Sequence, residues 1–345
     1  MQRLFQILFG LLLACTPQMV FADAGTEFDK KYAVIFQYTA IDDEGDGKTA
    51  VTPEQFSAHI KELLSEKYTI LPLPDIITAF QKQTELPPKT IAMTFDGNDA
   101  SIVKIAAPVL IENKIPFTVF IAPADIKDAK NAMNWDSLRL LKATKLVSFG
   151  LHPDRHQRLM NEPDETIKRH INNALSDIRE NLDITPTLFA YPFGEYNARY
   201  VRLVSQSGFA AGFGLQSGVA HGGANIYTLP RFPMIEALAD LDRFTMAANA
   251  MPLPVIESVD DTTVLNTAIG FTLLDDIAPH VKNLKCFTAR SDKIETHVMD
   301  ARVELRIKEF SGDDIRINCI IPVDGDDDVV RWRWYGILFN LPVME

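Results

Sequence analysis

From KYAVIFQYTA to about MPLPV, apolar and polar positions follow two patterns, one typical of buried strands and the other of amphipathic helices. Short apolar runs such as KTIAMTF and KLVSFGL have the length and the β-branched content of buried strands. Between such runs, apolar residues recur every three or four positions, as at Phe56, Ile60, Leu63 and Leu64, which is the spacing of one helical face. Strand–helix alternation of this length predicts an α/β domain with a parallel sheet, open or closed into a barrel.

After MPLPVIES the pattern of apolar positions becomes that of an all-β domain. TAIGFTLLD, HVMDARVELRIKEF, DIRINCIIPV and VVRWRWYGILFNL are strand-like runs separated by turns such as FSGDD and VDGDDD. They predict a small β sandwich, and we place the two domains at 30–254 and 258–345. Trp332 and Trp334 share one face of the last run, either as core residues or as a sugar-stacking platform; we favour the core.

The first 22 residues have the pattern of an export signal. A single basic residue, Arg3, precedes an apolar run, and small residues then suit cleavage after Ala22 or Ala24. The apolar run is short for a membrane span, so none is expected in the mature chain. We therefore expect an exported protein, periplasmic or extracellular. Cys15 in LLAC is placed like the lipid-bearing cysteine of a bacterial lipoprotein, which is the alternative.

Charge and cysteine content narrow the possible partners. The 345-residue chain has a net charge of −12 and no long Lys/Arg stretch, which argues against nucleic acid and anionic membranes as partners. In an oxidising compartment, Cys286 and Cys319 in their strand-like runs predict a disulfide, with two separate buried thiols as the alternative. The pattern does not determine the oligomeric state.

Polar side chains follow the apolar runs at positions that should converge. Asp96 ends KTIAMTF, His152 and His156 follow KLVSFGL, and Arg231 follows IYTLP. In a parallel barrel the carboxyl ends of the strands share one rim, so these groups are expected to form one site. The spacing in HPDRH lets both imidazoles face one cation. A catalytic zinc also needs a third ligand, expected from a carboxylate of the FDGND turn.

These motifs and their order resemble the polysaccharide deacetylase family (NodB homology, carbohydrate esterase family four), most closely its secreted poly-N-acetylglucosamine deacetylases. MTFDGNDAS with APVLIENKIPFTVFIAP resembles the first motif, FGLHPDRHQRL the His-x-x-x-His motif, and LFAYPFGEYN the third motif. The resemblance covers about residues 32 to 254. The tail, with INC and RWYG, is similar to a small β domain that some members append.

The resemblance implies a deformed (β/α) barrel of NodB type and a divalent metal, usually zinc, held by Asp-His-His. It assigns the catalytic base to Asp96, two metal ligands to His152 and His156, and an oxyanion-binding backbone N–H to Phe193. The implied reaction is removal of N-acetyl groups from a GlcNAc-containing exopolysaccharide, peptidoglycan or chitin-like glycan.

Two further residues are candidates for contact with the substrate. Tyr191 belongs to the third motif and is a candidate sugar contact. Arg231 is a candidate for binding a carboxylate or for orienting Asp96, and a structural ion pair at the rim is the alternative.

Three positions depart from the family pattern. The family's second aspartate, a metal ligand, falls on Gly97; Asp99 is the remaining candidate ligand, although it is equally placed to cap the following helix, and solvent could complete the shell instead. Thr39 stands where the branch usually has a histidine. The family's late histidine, the general acid, has only His221 as a candidate, by location. A non-catalytic glycan-binding relative and an O-acetyl esterase therefore stand beside the deacetylase as alternatives.

Overall fold

The computed structural model describes residues 27–42, 49–65, 67–128, 132–256, 268–288, 293–309, 314–324 and 330–340. The predicted export signal and Cys15 lie outside these ranges. No helix within the ranges is both long enough and apolar enough to cross a membrane.

The helices of the described residues begin and end close to the sequence signals. They are α1 (Pro53–Leu63), α2 (Leu73–Lys82), α3 (Ala107–Glu112), α4 (Pro123–Asp128), α5 (Trp135–Ala143), α6 (Asp164–Leu182), α7 (Ala198–Gln206) and α8 (Leu241–Ala248). A reciprocal capping box between Thr52 and Gln55 fixes the start of α1. Of its predicted apolar face, Leu64 is the exception: it follows the last helical residue and is 45% exposed.

A parallel sheet forms the body of the first domain. Its strands are β1 (Tyr32–Tyr38), β4 (Thr69–Ile70), β5 (Thr90–Asp96), β6 (Phe117–Ile121), β7 (Val147–Leu151), β8 (Leu188–Ala190), β9 (Ala211–Phe213), β10 (Ala220–His221) and β11 (Phe232–Pro233), beside a separate pair, β2 (Ala40–Ile41) and β3 (Ala50–Val51). The order along the sheet is β10-β1-β5-β6-β7-β8-β9. Only β10 runs antiparallel to its neighbour among the described pairs of this sheet.

The sheet curls until its last strand nearly returns to its first. Phe213 of β9 bridges Leu229, and three residues later Phe232 pairs with Phe36 of β1. We call residues 229–233 the closing segment, because they span the gap between β9 and β1. The predicted parallel α/β barrel is confirmed, in a form that a short segment closes in place of a full strand.

Two further sheets follow, antiparallel throughout except that β12 pairs with β18 in parallel. One has the order β12-β18-β17-β14 and the other β13-β16-β15. The strands are β12 (Met251–Pro252), β13 (Ala268–Thr272), β14 (Lys285–Thr288), β15 (Lys293–Met299), β16 (Arg302–Glu309), β17 (Asp314–Asp324) and β18 (Val330–Asn340). Residues of both sheets, among them Phe271, Leu305 and Ile317, share one apolar core, as the predicted sandwich requires. We call residues 268–340 the β region; the domain boundaries themselves remain a prediction.

Specific contacts tie the β region together and to the barrel. Cys286 and Cys319 lie directly opposite each other on β14 and β17 and form the predicted disulfide. Trp334 is buried, its ring edge-on to Phe232 of the closing segment at 5.0 Å between centroids. This tryptophan therefore belongs to the core and not to an exposed sugar platform.

An ion pair joins the two ends of the described fold. Both terminal nitrogens of Arg333 on β18 bind the carboxylate of Asp29, at 2.6 and 2.8 Å. Arg333 is 2% exposed, so the pair is shielded from water. We call this contact the terminal clasp.

Candidate active site

Asp96 reaches the inside of the barrel because β5 alternates along its length. Ile91, Met93 and Phe95 pack in the core beneath the helices, so Thr94 and Asp96 point to the opposite, inner face. Asp96 is the last residue of β5 and is only 4% exposed. Its carboxylate therefore lies at the carboxyl end of the strand, within the curl of the sheet.

Arg231 of the closing segment binds this carboxylate. Its Nη1 and Nη2 atoms each lie 2.7 Å from one oxygen of Asp96, and its Nε donates to the carbonyl of Gly214 at 3.0 Å. The guanidinium also lies over the rings of Phe120 and Phe213, 5.2 and 5.9 Å from their centroids. Arg231 is fully buried, so it is placed to orient the carboxylate of Asp96 and not to contact a substrate itself.

The ion pair sets the charge state of Asp96. Burial alone would raise the pKa of the carboxyl, but the Arg231 charge and the nearby His152 imidazole outweigh it and hold the pKa well below its usual range. Asp96 is therefore ionised at every pH near neutrality. A carboxylate with so low a pKa is also a weak base, which limits how strongly it can activate water.

The two histidines of HPDRH come to the same place. His152 directly follows β7, and its backbone N–H donates to the Ile121 carbonyl of β6 at 2.9 Å. Its side chain is fully buried, with Nε2 3.7 Å from Oδ2 of Asp96. The ring centroids of His152 and His156 lie 5.0 Å apart. The structure thus brings together the carboxylate and both imidazoles that the sequence singled out.

The loop that carries His152 and His156 is held by side chains that no sequence motif indicated. Asp154 accepts hydrogen bonds from Nδ1 of His170 and from Nδ2 of Asn173, both on α6. The backbone N–H of His156 donates to Oδ2 of Asp125 on α4 at 2.9 Å. These partners are 16 to 31 residues from the loop along the chain, so spacing alone gave no signal for them.

Phe193 occupies an unusual backbone conformation beside His156. It lies in the 3-10 turn Pro192–Gly194 with φ of 57°, in the left-handed region that side chains other than glycine avoid. Its N–H points to Nε2 of His156 at 3.4 Å, and its ring stacks on the same imidazole at 4.4 Å between centroids. The N–H proposed for the oxyanion therefore faces the histidine pair.

Other predicted residues lie elsewhere or carry other contacts. Tyr191 is fully buried and packs on Tyr200 and Tyr196 at 5.1 Å between centroids, which leaves it no surface for a sugar. His221 pairs with Tyr32 at the amino end of β1, some 20 Å of strand away from the carboxyl-end rim, so the geometry gives no support to a general-acid role.

The FDGND turn supplies a helix-start contact. Oδ1 of Asp99 accepts a hydrogen bond from the backbone N–H of Ser101 at 2.8 Å, the contact of a turn that begins a helix. A metal-binding role for Asp99 remains a prediction. Gly97 has φ of 91°, and a Cβ built on it meets nothing within 4 Å, so the position that carries a ligand in the family is open space here.

The donor set fits a cation held by two imidazoles. Neither ring nitrogen of His152 has a hydrogen-bond partner, although both are buried, and such atoms in proteins are ordinarily paired. Burial, and after it the neighbouring His152 imidazole, lowers the pKa of His156 to about 4 against the opposing effect of Asp96, so the His156 imidazole is neutral near pH 7. Within the described ranges no group of three His, Cys, Asp or Glu side chains is arranged to hold a metal.

Comparison with known proteins bears on the class of protein to which the barrel belongs. Residues 83–212 match the family model described as polysaccharide deacetylase. The chain is 27% identical over 195 residues to the poly-β-1,6-N-acetyl-D-glucosamine N-deacetylase of Staphylococcus aureus, an alignment that covers 53% of this chain and 67% of that protein. The protein of the same name from Staphylococcus epidermidis is 24% identical over 194 residues, with the same coverage of both chains.

Solved structures bear on the fold. Streptococcus pyogenes deacetylase PplD in complex with acetate has a TM-score of 0.59 at 16% identity, covering 64% of this chain and 99% of that one. IcaB from Ammonifex degensii has a TM-score of 0.58 at 20% identity, covering 63% and 97%. Each of the two alignments leaves more than a third of the present chain unmatched. The chain therefore contains a polysaccharide deacetylase domain, which the family model matches over residues 83–212, and the solved structures share its NodB-type fold.

Proposed function

We propose that this protein is an exported, metal-dependent carbohydrate de-N-acetylase that removes acetyl groups from a polysaccharide containing N-acetylglucosamine. The observation that carries the proposal is the convergence of Asp96, His152, His156 and the Phe193 N–H at one rim. The staphylococcal relatives, named as poly-β-1,6-N-acetyl-D-glucosamine N-deacetylases, support this class of substrate.

Each group has a part in hydrolysis of the acetamide. Asp96 accepts a proton from the water whose oxygen attacks the carbonyl carbon, and Arg231 keeps the carboxylate aligned for that transfer. The Phe193 N–H donates to the oxygen that becomes negative as the carbonyl is attacked. A divalent cation, most simply zinc, held by His152 and His156 would supply Lewis-acid activation of the same carbonyl. The C–N bond then breaks, releasing acetate and leaving the sugar amine.

The departing nitrogen needs a proton, and Asp96 is well suited to return one. A carboxyl whose pKa lies far below the usual range is a poor base but a strong acid once protonated. The proton taken from water can therefore pass back from Asp96 to the amine, without His221.

A second candidate function is glycan binding without catalysis. Gly97 removes a ligand position, and Arg231 occupies both oxygens of Asp96. Such a protein would bind acetylated glycan and release no acetate.

Metal content and acetate release test the proposal together. After loading with zinc and removal of free metal, the wild type should hold about one equivalent, and the His152→Ala, His156→Ala double variant should hold little. Asp96→Asn should abolish acetate release from acetylated glycan while its zinc content stays near that of the wild type. His297→Ala, which changes an exposed histidine of β15, is the matched control and should behave as the wild type. Equal, low zinc in wild type and double variant would remove the metal-dependent mechanism, and glycan binding without acetate release would establish the second candidate.

A further inference from the structure

The backbone of Phe193 needs external support to keep its conformation. A left-handed φ at a residue other than glycine is unfavourable, so it persists only where surrounding contacts hold it. Two contacts hold the Phe193 ring: it stacks on the His156 imidazole, and the Arg158 guanidinium carbon lies 5.3 Å from its centroid. The Gly194 N–H, which belongs to the same peptide unit as the Phe193 carbonyl, donates to the Tyr191 carbonyl at 2.9 Å and holds that unit within the turn. The Phe193 carbonyl oxygen itself takes its partner from outside the turn.

The β region supplies that contact. Nη2 of Arg316 on β17 donates to the carbonyl oxygen of Phe193 at 2.6 Å, across 123 residues of sequence. The same nitrogen lies 3.3 Å from Oδ2 of Asp314, whose side chain is 5% exposed, so the guanidinium is itself oriented from within β17. Strand pairing of Arg316 with Leu338 of β18 fixes the backbone from which the side chain extends.

We propose that Arg316 is a positioning residue for the deacetylation reaction: it holds the Phe193 carbonyl and thereby keeps the Phe193 N–H aimed at the developing oxyanion. The inference rests on the proposed function. The ring is stacked on His156, the Gly194 N–H is bonded to the Tyr191 carbonyl, and Arg316 holds the Phe193 carbonyl oxygen from the other side. Together these contacts restrain both backbone rotations of Phe193, and with them the direction of its N–H. The β region is then part of the catalytic apparatus of the barrel.

A purely structural role would give a different signature. If Arg316 only attached the β region to the barrel, its loss would lower stability and leave turnover by the folded fraction unchanged. If it aims an oxyanion donor, its loss weakens a contact made in the transition state, so kcat falls while KM changes little.

The experiment compares Arg316→Met, Arg316→Lys and the control Arg306→Met, which removes a β-region arginine paired only within β16 among the described contacts. For acetate release from acetylated glycan, kcat of Arg316→Met should fall about tenfold or more at nearly unchanged KM, and Arg316→Lys should recover part of the loss. Arg306→Met should match the wild type. Backbone hydrogen exchange over residues 190–197 should accelerate in Arg316→Met and stay unchanged in Arg306→Met.

The two readouts separate failure of this inference from failure of the proposed function. Acetate release by the wild type with unchanged kcat in folded Arg316→Met, or unchanged exchange over 190–197, would overturn the role of Arg316. A wild type that releases no acetate would overturn the proposed function, and the exchange measurement alone would then decide whether Arg316 orders the turn. Should Arg316→Met fail to fold, Arg316→Lys decides, because a lysine that leaves kcat and exchange at wild-type values excludes a requirement for the arginine's directed contact.

Discussion

At the scale of single residues, the site combines a recognisable motif with partners that only the fold reveals. Asp96, His152 and His156 could be picked from the sequence because each directly follows an apolar run. Arg231 could be placed on the same rim, but its grip on both oxygens of Asp96 depends on the closing segment. Arg316 could not be found, since nothing in DIRINC indicates a contact with a turn 123 residues earlier.

Restoring the missing family carboxylate should strengthen metal binding. Gly97→Asp places a carboxylate in open space, but its φ of 91° strains any side chain, so the free energy of unfolding should fall by about 1–2 kcal/mol. Zinc retention after dialysis should increase relative to the wild type. Gly97→Asn carries a similar strain without the charge and should show no such gain. Equal retention by all three proteins would place Gly97 outside the metal shell.

The buried His59 should make stability depend on pH. Its ring lies between the hydroxyl of Tyr38 and the carbonyl of Ala239 and stacks on Phe244, and burial lowers its pKa to about 4. Between about pH 6.5 and 4 the unfolded chain binds a proton that the folded protein does not, so stability is lost as the pH falls through this window, by roughly 3 kcal/mol at most.

Urea unfolding at pH 7.5, 6 and 5 measures this effect. His59→Gln should show a shallower loss of unfolding free energy than the wild type, whatever its absolute stability. The exposed His297→Gln should keep the wild-type slope. A slope that does not change in His59→Gln would assign the acid sensitivity to other groups.

At the scale of elements, the end of an apolar run was the reliable signal and the direction of the side chain was not. Asp96 was predicted at the rim because it ends KTIAMTF, and the alternation that turns it to the inner face is seen in the packing of β5. Tyr191 was misjudged because it directly follows the short strand β8, and its ring turns into the aromatic cluster instead of the rim. His221 was misjudged because β10 runs antiparallel to β1, which carries it to the amino end of the barrel.

The turn that carries Phe193 should depend on Gly194. A Cβ on Gly194 would lie 2.5 Å from the backbone nitrogen of Leu215, and its φ is 72°. Gly194→Ala should therefore lower the free energy of unfolding by about 2–4 kcal/mol, strain and overlap combined, and reduce acetate release. Gly208→Ala, with φ of 85° and nothing within 4 Å, isolates the strain and should lose only about 1 kcal/mol. Chemical denaturation of both variants tests the difference; equal losses would mean that Leu215 yields without penalty.

At the scale of the whole molecule, the sequence predicted a barrel followed by a sandwich but not how the two are joined. The spacing of apolar positions distinguishes the two architectures. The contacts of Trp334 with Phe232 and of Arg316 with Phe193, in contrast, involve residues far apart in the chain. Such contacts form when the folded barrel and the folded β region pack against each other. No local pattern specifies them.

The disulfide should stabilise the β region in particular. It links residues 33 apart in sequence, a loop whose closure in the unfolded chain corresponds to about 3–4 kcal/mol. Cys286→Ser with Cys319→Ser should lower the unfolding free energy of the β region by about 2–4 kcal/mol, followed by tryptophan fluorescence, because two tryptophans lie on β18. Dithiothreitol should reproduce the effect in the wild type and leave the double variant unaffected. A wild type insensitive to dithiothreitol would argue against a stabilising bond.

The terminal clasp has a consequence for biosynthesis. Asp29 and Arg333 are 304 residues apart, so at about 5–20 residues per second a ribosome needs roughly 15–60 s between making the first and the second. Throughout that interval Asp29 lacks its partner Arg333, whereas the closing segment that pairs with β1 is made well before the end of it. The barrel can therefore close during synthesis, but the terminal clasp cannot form until translation is almost finished.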